Sequence, residues 1–484
     1  MKKNNKNVAI NYIYNMIYQI SLFILPLITS PYLSRTIGSE GLGSYSYSYS
    51  IAYYFYLFGM LGINNYGNRC IAAARDDQEK LDFTFSKIYY FQLLLSSIST
   101  ICYIGYCIFI CKQNVFLAWG QIFYVLSAVV SIDWFFFGIE EFRVTVIRKT
   151  VIKIVTSLSI FIFIKTPEQL FLYTLIISLA EFIGELYLWY YIPEFVHFKK
   201  VAFKEIFHDS KSIIVLFVPI IATSIYRNMD KIMIGTLSTM RNVGQYDYAE
   251  KIIMICLGCM TALGTVMLPK MANLIANNKK REVKKYLIIS MQFAMFMACG
   301  ISFGLAAVAK RFSVVYFGLD YTECGLALMY LSVTVLPIAW ANVIRTQYLI
   351  PSAKDKEYVI SVIIGAIFNF SLNLFLIPKF GILGAIIGTI TAEFSVALVQ
   401  TILVRKEISA MLYIKNAIPF FICGLFMFFL TLFVGKATRD SVGGLLLQIL
   451  IGFVCYLLLS ISYCVYKKND IYYLVKKFVD NIRN

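Results

Sequence analysis

Charge is scarce in this chain: Asp, Glu, Lys and Arg make up 15% of its 484 residues, against about one quarter in an ordinary soluble domain. Histidine is nearly absent. His197 and His208 are the only two, and both sit in a polar stretch without cysteine partners, which argues against a structural zinc site. The eleven cysteines lie mostly inside apolar runs, without the paired spacing of a metal site or the frame of a small disulfide-rich domain. Cys256-x-x-Cys259 falls inside one such run and reads as helix packing by small residues. No GxxxxGK[ST] phosphate loop occurs, and no segment is polar enough to form a nucleotide domain, so direct ATP drive is not expected. No cofactor or metal is expected either. Long Gly/Ser-rich or Pro-rich linkers are also missing. A length that would allow about three soluble domains therefore reads as one continuous bundle.

What the chain has in abundance is apolar sequence, 59% of its residues. Only helices or closed barrels satisfy their backbone inside lipid, and a helix needs about 20 apolar residues to cross. Such runs predict spans near 10–33, 44–63, 88–111, 115–137, 150–164, 170–191 and 213–235, then near 248–268, 287–309, 326–350, 358–377, 383–404, 417–434 and 444–466. Lys2, Lys3 and Lys6 precede the first run, which is too long and polar for a signal peptide and reads as a retained first helix.

The net charge of +17 invites a nucleic-acid reading, and the placement of the bases removes it. With the amino terminus inside, 31 of the 44 Lys and Arg residues fall in inner segments and 9 in outer loops, the asymmetry of a polytopic membrane protein. Clusters such as Lys279, Lys280, Arg281, Lys284 and Lys285 then face anionic lipid headgroups, and both termini are expected in the cytoplasm.

The two halves echo each other. GLGSYSYSYSI (41–51) aligns without gaps to NVGQYDYAEKI (242–252), pairing Gly43 with Gly244, Tyr45 with Tyr246, Tyr47 with Tyr248 and Ile51 with Ile252. Both segments fall between corresponding spans, six spans apart, which points to parallel repeats with a substrate site at their interface. The expected fold is an all-α integral membrane protein of about fourteen transmembrane helices. Residues 1–204 and 205–410 form two pseudo-symmetric six-helix lobes, and 411–484 add two C-terminal helices and a tail.

Ionisable side chains at membrane depth cost about 2.5–3.5 kcal/mol each and should face the bundle interior or a wet cavity. Asp133, Glu181, Glu185, Arg227, Asp230, Lys231, Arg345 and Glu393 are the residues so placed. Arg227, Asp230 and Lys231 share one helical face. They form either an internal Arg227–Asp230 pair that joins helices, or a cationic wall for an anionic headgroup. Arg345, with Asn342 and Gln347 nearby, either snorkels to the interface or touches substrate. Glu181 and Glu185, at i and i+4, either pair with bases of other helices or take up a proton during transport; Glu393 is a further candidate, as is Asp230. Tyr45 and Tyr49 lie on one face of the second span, and the tract continues through Tyr53. These rings serve as interfacial anchors or as a hydroxyl-bearing lining that stacks on sugars. Pro26, Pro31, Pro219 and Pro337 should kink or open their helices.

PLITSPYLSRTIGSEGLGSYSYS (26–48) and YRNMDKIMIGTLSTMRNVGQYDYAEKI (226–252) resemble the first two and the seventh and eighth helices of the polysaccharide repeat-unit flippases. That family is the Wzx-type branch of the MATE-like MOP transporter superfamily. Asp230, Lys231, Gly235, Gly244 and Tyr246 are the matching positions. The resemblance implies alternating-access transfer of an undecaprenyl-pyrophosphate-linked oligosaccharide across a bacterial cytoplasmic membrane, for polysaccharide biosynthesis. It implies no enzymatic step, and partners in a polymerase and glycosyltransferases of the same pathway. Arg227, Lys231, Arg345 and Arg35 become candidates for the anionic headgroup, and Tyr45, Tyr49 and Tyr53 for the sugar. Three readings compete: a MATE-like cation-coupled exporter, a membrane polymerase or ligase, and a non-catalytic scaffold of glycan assembly.

Overall fold

The computed structural model describes residues 24–407 and 410–468. Every described regular element is helical. The first part runs α1 (24–36), α2 (Gly38–Met60), α3 (Ile63–Ala74), α4 (Gln78–Gly105), α5 (Val115–Gly120), α6 (Ile122–Val130), α7 (Asp133–Gly138), α8 (Phe142–Phe163), α9 (Leu170–Tyr187) and α10 (Phe203–Ile206). The second runs α11 (Ser210–Leu237), α12 (Met240–Ala276), α13 (Lys280–Phe317), α14 (Thr322–Leu331), α15 (Val335–Ile344), α16 (Asp355–Phe380), α17 (Ile382–Leu403), α18 (Ala410–Ala437) and α19 (Val442–Lys467).

Among the described residues, ten helical segments are long and apolar enough to cross a bilayer, and each coincides with an expected span. The second, fifth and eighth expected spans fall on α2, α8 and α12, of 23, 22 and 37 residues. At about 1.5 Å per residue these helices also have crossing length, while their hydroxyls or charges lower their hydropathy. The first expected span, 10–33, and both termini lie largely outside the described residues. The Ser/Tyr alternation at 44–50 is helical, within α2, since an isolated strand would leave its backbone unsatisfied in lipid.

The chain divides into two compact units, Met1–Ser224 and Ile225–Asn484. In the second, α18 and α19 pack on α13, and one side chain fastens them. Arg311 of α13 donates through Nε to Asp440 Oδ1 (2.7 Å), through Nη1 to Thr438 Oγ1 (2.7 Å) and Gln448 Oε1 (3.2 Å), and through Nη2 to the Gly435 and Thr438 carbonyls (2.6 and 2.7 Å). All five N–H groups of its planar fork are used.

Breaks within a span require the same kind of repair. Between α6 and α7 the helix is interrupted at residues 131–132, which frees carbonyls that lipid cannot satisfy. Gln92 of α4, fully buried, donates to the Ala128 and Ser131 carbonyls (2.8 and 2.7 Å) and accepts from the Trp134 indole N–H (2.8 Å). Ahead of Pro337, the turn Ser332–Thr334 tightens to a 3-10 helix. There Ser332 and Thr334 return their own hydroxyls to the Met329 and Leu331 carbonyls.

Gln92→Leu removes all three of those hydrogen bonds while keeping the volume, so unit 1 should lose about 2–4 kcal/mol. Thermal unfolding of the purified chain in detergent, followed by circular dichroism, measures this.

Candidate functional site

In the second unit, α11, α12, α16 and α17 converge on Asp230, which is almost fully buried. The Tyr246 hydroxyl donates to Asp230 Oδ2 at 2.6 Å, and Asn373 Nδ2 donates to Oδ1 at 2.6 Å. Thr389 Oγ1 lies 2.7 Å from Oδ2, 2.8 Å from the Tyr246 hydroxyl and 3.0 Å from its own Ala385 carbonyl, so its single proton serves several acceptors. The helices meet closely because Gly388 precedes Thr389: a Cβ there would stand 2.1 Å from Asn373 Oδ1. Asp230 is thus held by a phenol, a hydroxyl and an amide.

The neighbouring Lys231 faces acids. Its ammonium pairs with Asp247 Oδ1 (2.9 Å) and Glu250 Oε2 (3.0 Å), and Lys251 closes on Asp247 Oδ2 (2.6 Å) while lying 4.4 Å from the Tyr248 ring centroid. Asp247 and Glu250 did not stand out in the sequence because they occur at the amino end of the eighth expected span, where interfacial charge is ordinary. Their spacing of three from each other on α12 was the available signal. Arg227 is exposed on α11 and lines a cavity of about 30 Å³ with Tyr246, Glu250, Thr389 and Glu393, room for about one water.

The first unit holds a second charge cluster. Arg148 of α8 pairs with Asp133 (2.9 Å) and Glu185 (3.2 Å) and donates to the Gly184 carbonyl (2.9 Å), and Lys149 pairs with Asp133 (2.6 Å). Starting the fifth span at 150 puts Arg148 and Lys149 outside the membrane; α8 begins at Phe142 and leaves Arg148 only 4% exposed. Glu181, one turn before Glu185, is exposed, so the two glutamates stand in different surroundings.

Tyr45, Tyr49 and Tyr53 form a ladder along α2, with ring centroids 6.0 and 6.5 Å apart. Tyr173 of α9 meets Tyr45 edge-on at 4.8 Å, and Tyr124 of α6 packs on Tyr49 at 4.9 Å. Tyr45, at the position that pairs with Tyr246 across the repeat, is likewise buried. Arg35 is exposed just after Ser34 on α1. Arg345 begins a π-helical turn, Arg345–Leu349, where it donates to Asn342 Oδ1 (2.9 Å) and stands 5.7 Å from the Tyr358 ring centroid.

The two last helices contribute something different. Phe296, Gly300 and Gly304 of α13, Met427 of α18 and Gly452 and Tyr456 of α19 line a cavity of about 550 Å³ whose walls are almost entirely apolar. Among the described residues no group of three or more His, Cys, Asp or Glu is placed to hold a metal ion.

The profile of the family described as "Polysaccharide biosynthesis protein" matches residues 8–275. A putative O-antigen transporter of Escherichia coli K12 is 22% identical over 423 residues, covering 84% of this chain and 99% of that protein. A putative O-antigen transporter of Shigella dysenteriae is 23% identical, covering 78% of this chain and 94% of that protein. Among solved structures, the lipid II flippase MurJ in an inward closed conformation superposes with a TM-score of 0.74 at 16% identity, covering 95% of this chain and 100% of that one. An inward-facing MATE multidrug resistance transporter of the MOP superfamily gives 0.62 at 14% identity, covering 83% of this chain and 95% of that one. The fold is that of these transporters.

Arg148→Met would leave Glu185 without its cation and Asp133 with Lys149 alone and should cost about 3–5 kcal/mol, whereas Glu181→Gln should stay within about 0.5 kcal/mol of the parent. Parallel thermal unfolding of the two variants reads the difference.

Proposed function

Because the chain belongs to the polysaccharide biosynthesis protein family, we propose that it is a polysaccharide flippase, whose substrate is an undecaprenyl-pyrophosphate-linked oligosaccharide repeat unit. It carries that unit by alternating access from the inner to the outer leaflet of a bacterial cytoplasmic membrane, with both termini inside. The relatives named O-antigen transporters support this reading, as does a probable glycan biosynthesis flippase of Haloferax volcanii, 25% identical over 39% of each chain.

The observation that carries the proposal is the coexistence of a large apolar cavity and a polar interior in one membrane protein. A polyprenyl chain needs the former: the cavity of about 550 Å³ among α13, α18 and α19 gives it an apolar wall. That also gives the appended helices a role which a small-molecule exporter does not require. The pyrophosphate needs cations, and Arg35, Arg227 and Arg345 are the candidates, since a guanidinium binds phosphate through paired N–H groups. Lys231, engaged by Asp247 and Glu250, sets the local charge in this reading. The Tyr45, Tyr49 and Tyr53 ladder offers rings and hydroxyls to sugar.

Asp230 is the coupling group. A carboxylate buried among neutral groups gains most from a bound proton or small monovalent cation, and the Tyr246 and Thr389 hydroxyl oxygens beside it suit either. Glu393 and Glu185 are secondary candidates, and Glu181 is the weakest on account of its exposure. Polymerase and glycosyltransferases of the same pathway supply and consume the substrate.

Deleting the protein should trap the lipid-linked repeat unit in the inner leaflet, and Asp230→Asn, expressed at parental level, should reproduce that defect. Leaflet-selective labelling of the repeat unit in spheroplasts measures both; an unchanged leaflet distribution on deletion contradicts the proposal.

A further inference from the structure

In the second unit, the carboxyl ends of α12 and α17, the amino end of α13 and the segment after the π turn enclose a pocket of about 320 Å³. That volume lies in the range of small-ligand sites, about 300–1,000 Å³. Lys279, Lys280, Lys284 and Lys406 line it, against the single carboxylate of Glu407. Glu407 is already bound by Lys354, outside the lining, at 2.6 Å. Partial burial works against the charge on Lys354, yet Glu407 outweighs it and holds the ammonium above its ordinary pKa. Lys279 meets Glu282 at 3.5 Å in a half-exposed pair, the kind that contributes little. The pocket therefore gathers positive charge that its own carboxylate does not balance.

The rest of the lining narrows the ligand. Val283 and Leu287 give one side an apolar wall, and Tyr348 and Ser352 place hydroxyl-bearing side chains in the lining. The amino-terminal turn of α13, without a side-chain cap, adds partial positive charge. Phosphate, hydroxyls and the start of an acyl chain together describe one molecular class.

A basic pocket in the first unit shows what distinguishes this one. It is larger, about 690 Å³, and is lined by Lys80, Lys87, Lys199 and Lys200 together with Asp77, Glu79 and Asp209. Lys80 is paired with Asp77 (3.1 Å) and Lys87 with Asp209 (2.6 Å), so acids nearly balance bases there.

We propose that the pocket at Lys280, Lys284 and Lys406 is a binding site for the phosphate of an anionic phospholipid of the phosphatidylglycerol class, whose headgroup bridges the α12–α13 turn to the end of α17. The pocket shares no lining residue with the groups proposed above to act in transport, and the proposal does not depend on the identity of the transported molecule.

Native mass spectrometry of the full chain, released from mixed phosphatidylcholine and phosphatidylglycerol bilayers, tests it. The triple variant Lys280→Gln, Lys284→Gln, Lys406→Gln should bind phosphatidylglycerol at least about tenfold more weakly. The charge-matched control Lys80→Gln, Lys199→Gln, Lys200→Gln should stay within about twofold of the parent, as expected for surface charges outside the site. Replacing the same three pocket lysines by arginine should restore binding, which separates lost charge from misfolding. Equal losses in the pocket variant and the control overturn the proposal in favour of diffuse attraction. Displacement of the lipid by inorganic phosphate alone overturns it in favour of a simple anion site. Loss confined to added polyprenyl pyrophosphate, with phosphatidylglycerol retained, overturns it in favour of a substrate-loading site.

Discussion

Hydrocarbon offers no hydrogen bonds, so a polar group inside this chain must be satisfied by another part of the protein. That constraint explains the arrangement of the interior better than helix propensity does. Gln92 exists at its position because the α6–α7 break frees two carbonyls. Arg311 spends five donors on the α18–α19 hairpin. The two charge clusters, around Arg148 and around Lys231, set acids against bases drawn from different helices.

The same constraint makes transport chemistry compatible with a stable bundle. A path for any polar cargo needs embedded polar groups, and these are tolerable only when each unit neutralises them internally. The second unit does so at two neighbouring places with different character. Lys231 lies in an ionic network, while Asp230 rests on neutral donors from Tyr246, Thr389 and Asn373. One is held by opposite charges, and the other by neutral hydrogen-bonding groups. The cavity along α13, α18 and α19 is by contrast almost entirely apolar.

Much of the fold was legible in the sequence because apolar run length is a one-dimensional signal. Among the described residues, ten helices of crossing length and hydropathy fall on expected spans, and the family resemblance carried by 226–252 agrees with the profile match over 8–275. Charge partners are a three-dimensional property and were less accessible. Asp230 and Lys231 stood out by their depth, but the groups that hold them, Asp247, Glu250, Asn373 and Thr389, come from other helices and look unremarkable along the chain. Arg148 and Lys149 were hidden by a different cause: they lower the hydropathy of the start of α8, which moved its expected beginning to 150. Gln92 gave no signal, because its role depends on a helix break that begins at Ser131, 39 residues away.

The account stands on the claim that embedded charges belong to networks closed within a unit, and a double-mutant cycle on Lys231 and Asp247 measures this most directly. Unfolding free energies of Lys231→Met, Asp247→Leu and the double variant, taken in the same detergent, should show a coupling of at least about 2 kcal/mol, with the double variant more stable than the sum of single losses predicts. Additivity within about 0.5 kcal/mol would mean that these charges do not hold one another, and would contradict the account.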